Sequence, residues 1–396
     1  MLQRPTASSP ASLVPVAMAG ALAMASAMGF GRFVFTPILP GMVAGVPLSS
    51  SAAGYIASAN FVGYLAGAVL ASFGWGAGRE RQVALTALLI STVMLAAMGF
   101  TDSIAAFILI RFVAGLASAY AMIFTSSIVL GHAHARGSDH VPSVHFCGVG
   151  LGIALSSLMV YLGSLAEGGG AAAWRMDWFV SAAVTLLLLL VVWRLLPAAL
   201  PRAAEEPDSE PPIRWRLPLT LLTLSYGLFG FGYVITATFI VTMARTGDAG
   251  PAVEFLTWFV TGLMAAASIF AWGPLVRRFG LAVSYPLALI VEAIGVLGSV
   301  ALPSPYAPLV GGALLGGTFM VVTAHGLRIG RVLAPESPRR CLAVMTAAFG
   351  IGQIIGPLVA GRAAEATGSF TLASLLGALA LLLAFAAVMS VRRRLA

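Results

Sequence analysis

Arg32, Arg111, Glu292, His145 and His325 all fall inside long apolar stretches of this 396-residue chain, where packing alone does not account for them. An Arg at the centre of a membrane-spanning helix costs about 2.5–3.5 kcal/mol on insertion scales, so its guanidinium faces a polar cavity or a partner. Arg111 sits seven residues into an apolar run, roughly 10 Å at 1.5 Å per residue. It reads in two ways: as a fixed charge that binds an anion or acts on a nearby carboxyl, or as a contact to backbone carbonyls. Arg32 lies four residues before Thr36-Pro37, which marks the expected end of its helix. Its guanidinium either snorkels to the outer interface or, beside the bare backbone of Gly29 and Gly31, lines a cavity or gate. Glu292 is eleven residues into its run, roughly 16 Å deep. An ionised carboxylate is costly in hydrocarbon, so Glu292 is a candidate proton carrier; the alternative is a protonated hydrogen-bonding group. His145 and His325 carry the side chain that changes charge near neutral pH. They read as proton relay or gate residues, or as hydrogen-bonded packing groups.

Asn60, Tyr64, Tyr120, Tyr226, Tyr233 and Gln353 add neutral polar groups in the same apolar runs. They could orient a substrate, or they could hydrogen-bond between helices. Asp102 and Glu254 lie near helix ends, where water is expected to reach them. His132, His134 and His140 share one loop without a supporting Cys or carboxylate pattern, which predicts solvated histidines and no metal centre. Cys147 and Cys341, the two cysteines, form no disulfide framework. No nucleophile with an acid or base converges at one depth, so an enzyme is not expected, and no cofactor is implied.

The elements that position these groups follow from composition. The chain is 59% hydrophobic and 9% charged, against about 25% charged in soluble domains. Twelve apolar segments approach the roughly 20 residues needed to cross a bilayer: 14–34, 52–73, 82–100, 104–130, 141–164, 174–196, 217–243, 253–276, 281–301, 307–332, 340–362 and 370–391. All 22 basic residues are Arg. They fall in short segments between the apolar runs and form no basic face, which argues against a nucleic-acid partner. With the amino terminus inside, the connections that hold Arg79, Arg81, Arg136, Arg194, Arg202, Arg214, Arg216, Arg277, Arg278, Arg328, Arg331, Arg339 and Arg340 are cytoplasmic. The outer side keeps Arg175, Arg245 and Arg362. This is the positive-inside pattern, and it predicts both termini in the cytoplasm. Residues 13–28 could be read as a signal peptide; we expect a retained first helix, because the segment has a counterpart in the second half.

The longest polar stretch is AALPRAAEEPDSEPPIRWR at 198–216, whose Pro and acidic content suits a surface linker. It separates six helices from six. GFG at 29–31 recurs at 230–232, and the Gly-x-Gly of 148–150 recurs at 350–352. The offsets, 201 (230 minus 29) and 202 (350 minus 148), agree on one repeat length. The expected fold is all-α: twelve transmembrane helices in two pseudo-symmetric bundles, 1–197 and 217–396, joined by a cytoplasmic linker at 198–216. Such parallel repeats hold a substrate site near the midplane between them.

Several strings resemble the YbfB/YjiJ-like branch of the major facilitator superfamily: GFGRFVFTPILPGM at 29–42, GYIASANFVGYLAGAVL at 54–70, SYGLFGFGYVITATF at 225–239, LGGTFM at 315–320 and AAFGIGQIIGPLVAG at 347–361. The resemblance implies a secondary transporter in a bacterial-type inner membrane, working as a monomer. Its halves would rock about a central site and move a small organic solute together with a proton. The buried Arg favours an organic anion; efflux of drugs or metabolites and a non-transporting sensor are the alternatives. FGWGAGRER at 73–81 and WGPLVRRFG at 272–280 resemble the superfamily's gating loops, which makes Arg79, Arg81, Arg277 and Arg278 gating candidates, although the acidic position before the basic residues is absent. RFVAGLASA at 111–119 is similar to the helix-4 pattern, and this resemblance associates Arg111 with energy coupling. The Gly-Pro pair that many antiporters carry in helix 5 stands instead at Gly356-Pro357 in helix 11.

Overall fold

A computed structural model describes residues 12–167, 173–200 and 210–394, and every regular element among them is helical. Twelve helices are long and apolar enough to cross a membrane: α1 (Val14–Gly45), α2 (Ser50–Ala71), α3 (Glu80–Met98), α4 (Ile104–Ala135), α5 (His140–Ala166), α6 (Ala173–Leu195), α7 (Leu217–Thr246), α8 (Pro251–Phe279), α9 (Leu281–Ala301), α10 (Tyr306–Leu333), α11 (Pro338–Thr367) and α12 (Thr371–Val391). A helix is the single-segment solution that satisfies every backbone polar group without water. Large apolar side chains face outward, with Leu109, Leu187 and Leu379 more than half exposed. Small residues let helices approach closely in the interior, where Gly29 of α1 lies directly against the backbone of Gly152 in α5, so that a side chain on either would meet main chain.

Within the first six helices the main packing is α2 on α4, α3 on α4, α1 on α5 and α3 on α6. Within the second six it is α9 on α10, α8 on α10, and α7 on α11 and α12. The two sets meet chiefly through α2 on α11, α5 on α8 and the later part of α1 on α7. The first two of these contacts are mates under the repeat, since it maps α2 to α8 and α5 to α11. Thr36 donates to the carbonyl of Ala237 at 2.8 Å, and the two positions are 201 residues apart. Residues equivalent under the repeat touch each other only at the symmetry axis, so this bond marks where the axis crosses the bundle.

The first helix departs from expectation. Thr36-Pro37 does not end it: after a π-helical stretch at Ala25–Phe30 and a turn through Gly31–Val34, helix resumes at Phe35 and runs to Gly45. Pro37 is tolerated because it occupies the first turn of the resumed helix, where an N–H has no intrahelical acceptor in any case. Arg32 therefore sits at the break in the middle of a long span, not near its end. The break also changes the hydrogen-bond ladder. With no N–H on Pro37, the amide of Thr36 turns to the carbonyl of Phe33 at 3.2 Å. That leaves the carbonyl of Arg32 without its usual donor four residues on.

Candidate functional site

Arg111 meets that vacancy. Its Nη2 donates to the carbonyl of Arg32 at 2.9 Å and its Nη1 to the carbonyl of Gly31 at 3.2 Å, with the side chain 2% exposed. The guanidinium also lies over the ring of Phe35, 5.1 Å from its centroid. Arg111 is held on α4 by the close α2–α4 crossing, where Asn60 donates from Nδ2 to the Arg111 carbonyl at 3.0 Å. Of the two roles open to Arg111 from sequence, its terminal nitrogens adopt the carbonyl contacts.

Arg32 is placed differently. It is 5% exposed, and its guanidinium lies over the rings of Tyr64 at 4.4 Å, Phe61 at 4.8 Å and Phe33 at 5.3 Å. Nε and Nη2 are buried with no hydrogen-bond partner. Among the described residues neither Arg32 nor Arg111 forms an ion pair. Beside them is a cavity of about 10 Å³ lined from the first half by Arg32, Arg111, Thr36 and Phe61, and from the second by Val234 and Thr238. That is room for about one water molecule. The charged groups in its wall are both cationic.

Rings continue from this point into the second half. Phe33 meets Phe319 edge-on at 6.2 Å; Phe319 stacks on Tyr233 at 5.9 Å and 3°, and Tyr233 on Phe349 at 5.8 Å and 5°. Gln353 hydrogen-bonds the Tyr233 hydroxyl. Tyr226 stacks on Phe349 and donates to the Thr323 carbonyl at 3.2 Å. Tyr64 donates to Met122 Sδ at 3.1 Å, while Tyr120, half-buried, packs edge-on against Trp75 and Phe124. Arg32, Tyr64, Tyr233 and Gln353 are thus brought to one region where the halves meet, and Asn60 and Arg111 support it from α2 and α4. Phe61, Phe319 and Phe349 belong to the same region and were not legible as site residues, because an aromatic in an apolar helix carries no polar signal.

The other ionisable candidates lie apart. Glu292 on α9 is fully buried and neither carboxylate oxygen has a hydrogen-bond partner. Its electrostatic neighbours are Tyr233, Tyr285 and the Thr318 hydroxyl. His145 shares a 2.8 Å hydrogen bond with Ser126 between α5 and α4. His325 is buried on α10 with Trp272 edge-on at 6.3 Å. Arg81 donates to the carbonyls of Leu196 and Trp193 at 2.8 and 2.6 Å, tying its loop to the end of α6 in the same half. Arg79, Arg277 and Arg278 are exposed, and no ion pair among the described residues joins these loops across the halves. His132 contacts the Ala198 carbonyl at 3.0 Å, and the described residues contain no group of three metal-ligating side chains.

Glu254 corrects an expectation of solvation. It is buried and accepts from Arg245 Nη2 at 2.6 Å and from Nε at 3.0 Å. Gly250, at φ +84°, turns the chain between α7 and α8 and brings the two side chains together. Asp102, at the other end of α3, is exposed and pairs with Arg175 at 2.5 Å.

Residues 24–389 match the family described as the uncharacterised MFS-type transporter YbfB. The chain belongs to that family. Uncharacterized transporter YgaY of Escherichia coli O157:H7, and its counterpart in strain K12, are 33% identical over 196 residues. That alignment takes in 48% of this chain and 45% of the relative, so the chain spans less than half the length of the curated relatives it matches. Among solved structures, a point mutant of the nucleoside transporter NupG superposes with a TM-score of 0.75 at 16% identity, over 94% of this chain and 99% of that one. A bacterial homologue of the human lysosomal transporter Spinster gives 0.68 at 15%, over 96% of each chain. The human organic anion transporter MFSD10 gives 0.64 at 18%, over 96% and 100%. These likenesses establish the major facilitator fold. This YbfB-family chain carries, among the described residues, twelve helices long and apolar enough to cross a membrane.

Proposed function

We propose that this transporter moves a small organic anion, coupled to a proton, by alternating access of its two halves, residues 1–197 and 217–396, about the Arg32 region. One observation carries the anion reading: the buried Arg32 guanidinium with Nε and Nη2 unpaired. Those two nitrogens form one edge of the planar group, the edge that grips a carboxylate through two parallel hydrogen bonds. Rings cover the faces, and leaving charged donors buried without acceptors is costly. An anion entering as the halves part removes that cost. Arg111 is assigned the support of this arrangement, because its terminal nitrogens are committed to the α1 break.

Glu292 is the proton-bearing group in this reading. Glu292 is fully buried, where an ionised carboxylate is costly, and Tyr233 lies within electrostatic reach of both Glu292 and Arg32. The positive-inside pattern supports placing the end that bears both termini in the cytoplasm.

The test is uptake of small acids, sugars and cationic drugs into proteoliposomes, with and without an imposed proton gradient. We expect an acid to accumulate only with the gradient, Arg32→Gln to abolish uptake, and Glu292→Gln to leave acid movement that no longer responds to the gradient. Movement of sugars or cations instead, or full acid uptake by Arg32→Gln, overturns the anion reading. An unchanged gradient response in Glu292→Gln removes Glu292 from coupling.

A further inference from the structure

The anion site described above leaves the rest of the substrate undefined, and the groups around Arg32 restrict it. First, the free bidentate edge is single. Arg111 spends both terminal nitrogens on the carbonyls of Gly31 and Arg32, so the Nε–Nη2 edge of Arg32 is the one left for a carboxylate.

Second, the polar groups around that edge are already paired with one another or with the protein: Tyr64 donates to Met122, and Gln353 bonds Tyr233. The cavity's uncharged polar lining is Thr36 and Thr238, and the Thr36 hydroxyl is already given to the Ala237 carbonyl. A sugar-like ligand with several hydroxyls would leave most of them unmet at a buried site, which is strongly disfavoured.

Third, what continues from Arg32 through Phe33 into the second half is aromatic. Phe33 touches Phe319, and Phe319, Tyr233 and Phe349 stand in parallel planes within 5° of one another in successive pairs. Phe319 heads this ladder where the two halves meet, and Phe349 at its far end is only half-buried. Parallel ring faces reward a flat partner over a puckered one of equal size.

We propose that the substrate is an aromatic monocarboxylate, its carboxylate on the Nε–Nη2 edge of Arg32 and its ring against Phe319 at the head of the Tyr233–Phe349 ladder. The assignment rests on the anion reading above. The cavity is too small for such a molecule while the halves are closed on it, so binding requires the α1–α7 contact to part. Phe319 is then a specificity-determining residue, and Arg32 supplies the affinity common to all acids.

Three probes separate the parts: benzoate, cyclohexanecarboxylate, which keeps the charge and size but is puckered, and benzamide, which keeps the ring but lacks the charge. Their affinities are measured by calorimetry on the purified full chain in detergent at about pH 7.5, where both acids are ionised. The expected result is benzoate bound roughly 3- to 10-fold more tightly than cyclohexanecarboxylate, the reach of one aromatic pair, with that ratio falling towards one in Phe319→Leu and benzamide bound far more weakly. Equal affinities for the two acids in the unaltered protein, both lost in Arg32→Gln, overturn the aromatic assignment and leave the anion reading standing. Benzamide binding as tightly as benzoate, binding unaffected by Arg32→Gln, or binding of none of the three overturns both. The ratio in the unaltered protein decides the aromatic question by itself, so a Phe319 variant that fails to fold does not compromise the test.

Discussion

At the scale of single residues, Arg32 and Arg111 carry the same charge in the same region and do opposite things to stability. Arg111 satisfies two carbonyls released by the α1 break. Truncating it strands both in a dry interior, at about 1–3 kcal/mol for each unmet group. Arg32 holds two donors with no acceptor while its charge lies over three rings, so replacing it relieves the unmet donors and strands no carbonyl. Thermal unfolding in detergent should therefore show Arg111→Ala less stable by about 2–5 kcal/mol, and Arg32→Gln at or above the unaltered midpoint while losing anion binding. Equal destabilisation by the two changes would refute this division. Sequence alone singles out both arginines, because charge inside an apolar run is visible by inspection. It could not say which one is free, since that depends on where Pro37 interrupts the hydrogen-bond ladder and which carbonyls are left over. Glu254 shows the same limit: its partner Arg245 is nine residues away across a turn whose geometry Gly250 sets.

At the scale of elements, apolar length and the repeat specify the twelve helices and their order, and the differences are at the ends and at one break. Helix α1 runs past Thr36-Pro37 because a proline that opens a new helical segment looks, in sequence, like one that closes an old one. Several glycines serve close packing. At the α5–α8 crossing between the halves, a Cβ on Gly150 would overlap the backbone of Gly262 and Ala266, and one on Gly262 would overlap that of Gly150 and Ala154. Neither backbone can move aside without displacing its helix. Gly150→Leu should thus force the halves apart at this crossing and abolish transport, whereas Gly131→Leu, at a position with open space around it, should leave transport near its starting level. Comparable activity in the two variants would mean that the crossing is not needed for the cycle.

At the scale of the whole molecule, the side-chain hydrogen bonds that cross between the halves have a one-sided distribution. Among the described residues they are Thr36 to Ala237, Ser49 and the Ser51 amide to Glu365, Ser58 to Ile354, Ser157 to Phe255, and Arg362 to Tyr55. All lie midway along the bundle or towards the end remote from the termini, where α2 begins and α11 finishes. Glu365 is the most concentrated of them, accepting from the Ser49 hydroxyl at 2.9 Å and the Ser51 amide at 3.0 Å at the start of α2, where a carboxylate also complements the positive end of the helix dipole. The molecule is fastened at that mouth. On the proposed orientation, with both termini cytoplasmic, it is the outer mouth, which predicts that a thiol at Asp248→Cys, in a Cys147→Ser, Cys341→Ser background, reacts with an impermeant reagent added outside intact cells. Alternating access requires the same fastening to break once per cycle. Ser49→Cys with Glu365→Cys, in that background, should be joined across the mouth by a short bis-methanethiosulfonate crosslinker, each thiolate displacing a methanesulfinate to form a reducible disulfide. Transport should then stop and return when the link is cleaved. Binding of substrate from the opposite end should survive the crosslink, because the Arg32 edge does not depend on the outer mouth opening. Full transport with the crosslink in place would show that the halves do not separate there, and the rocking mechanism would have to be abandoned while the anion site at Arg32 could stand.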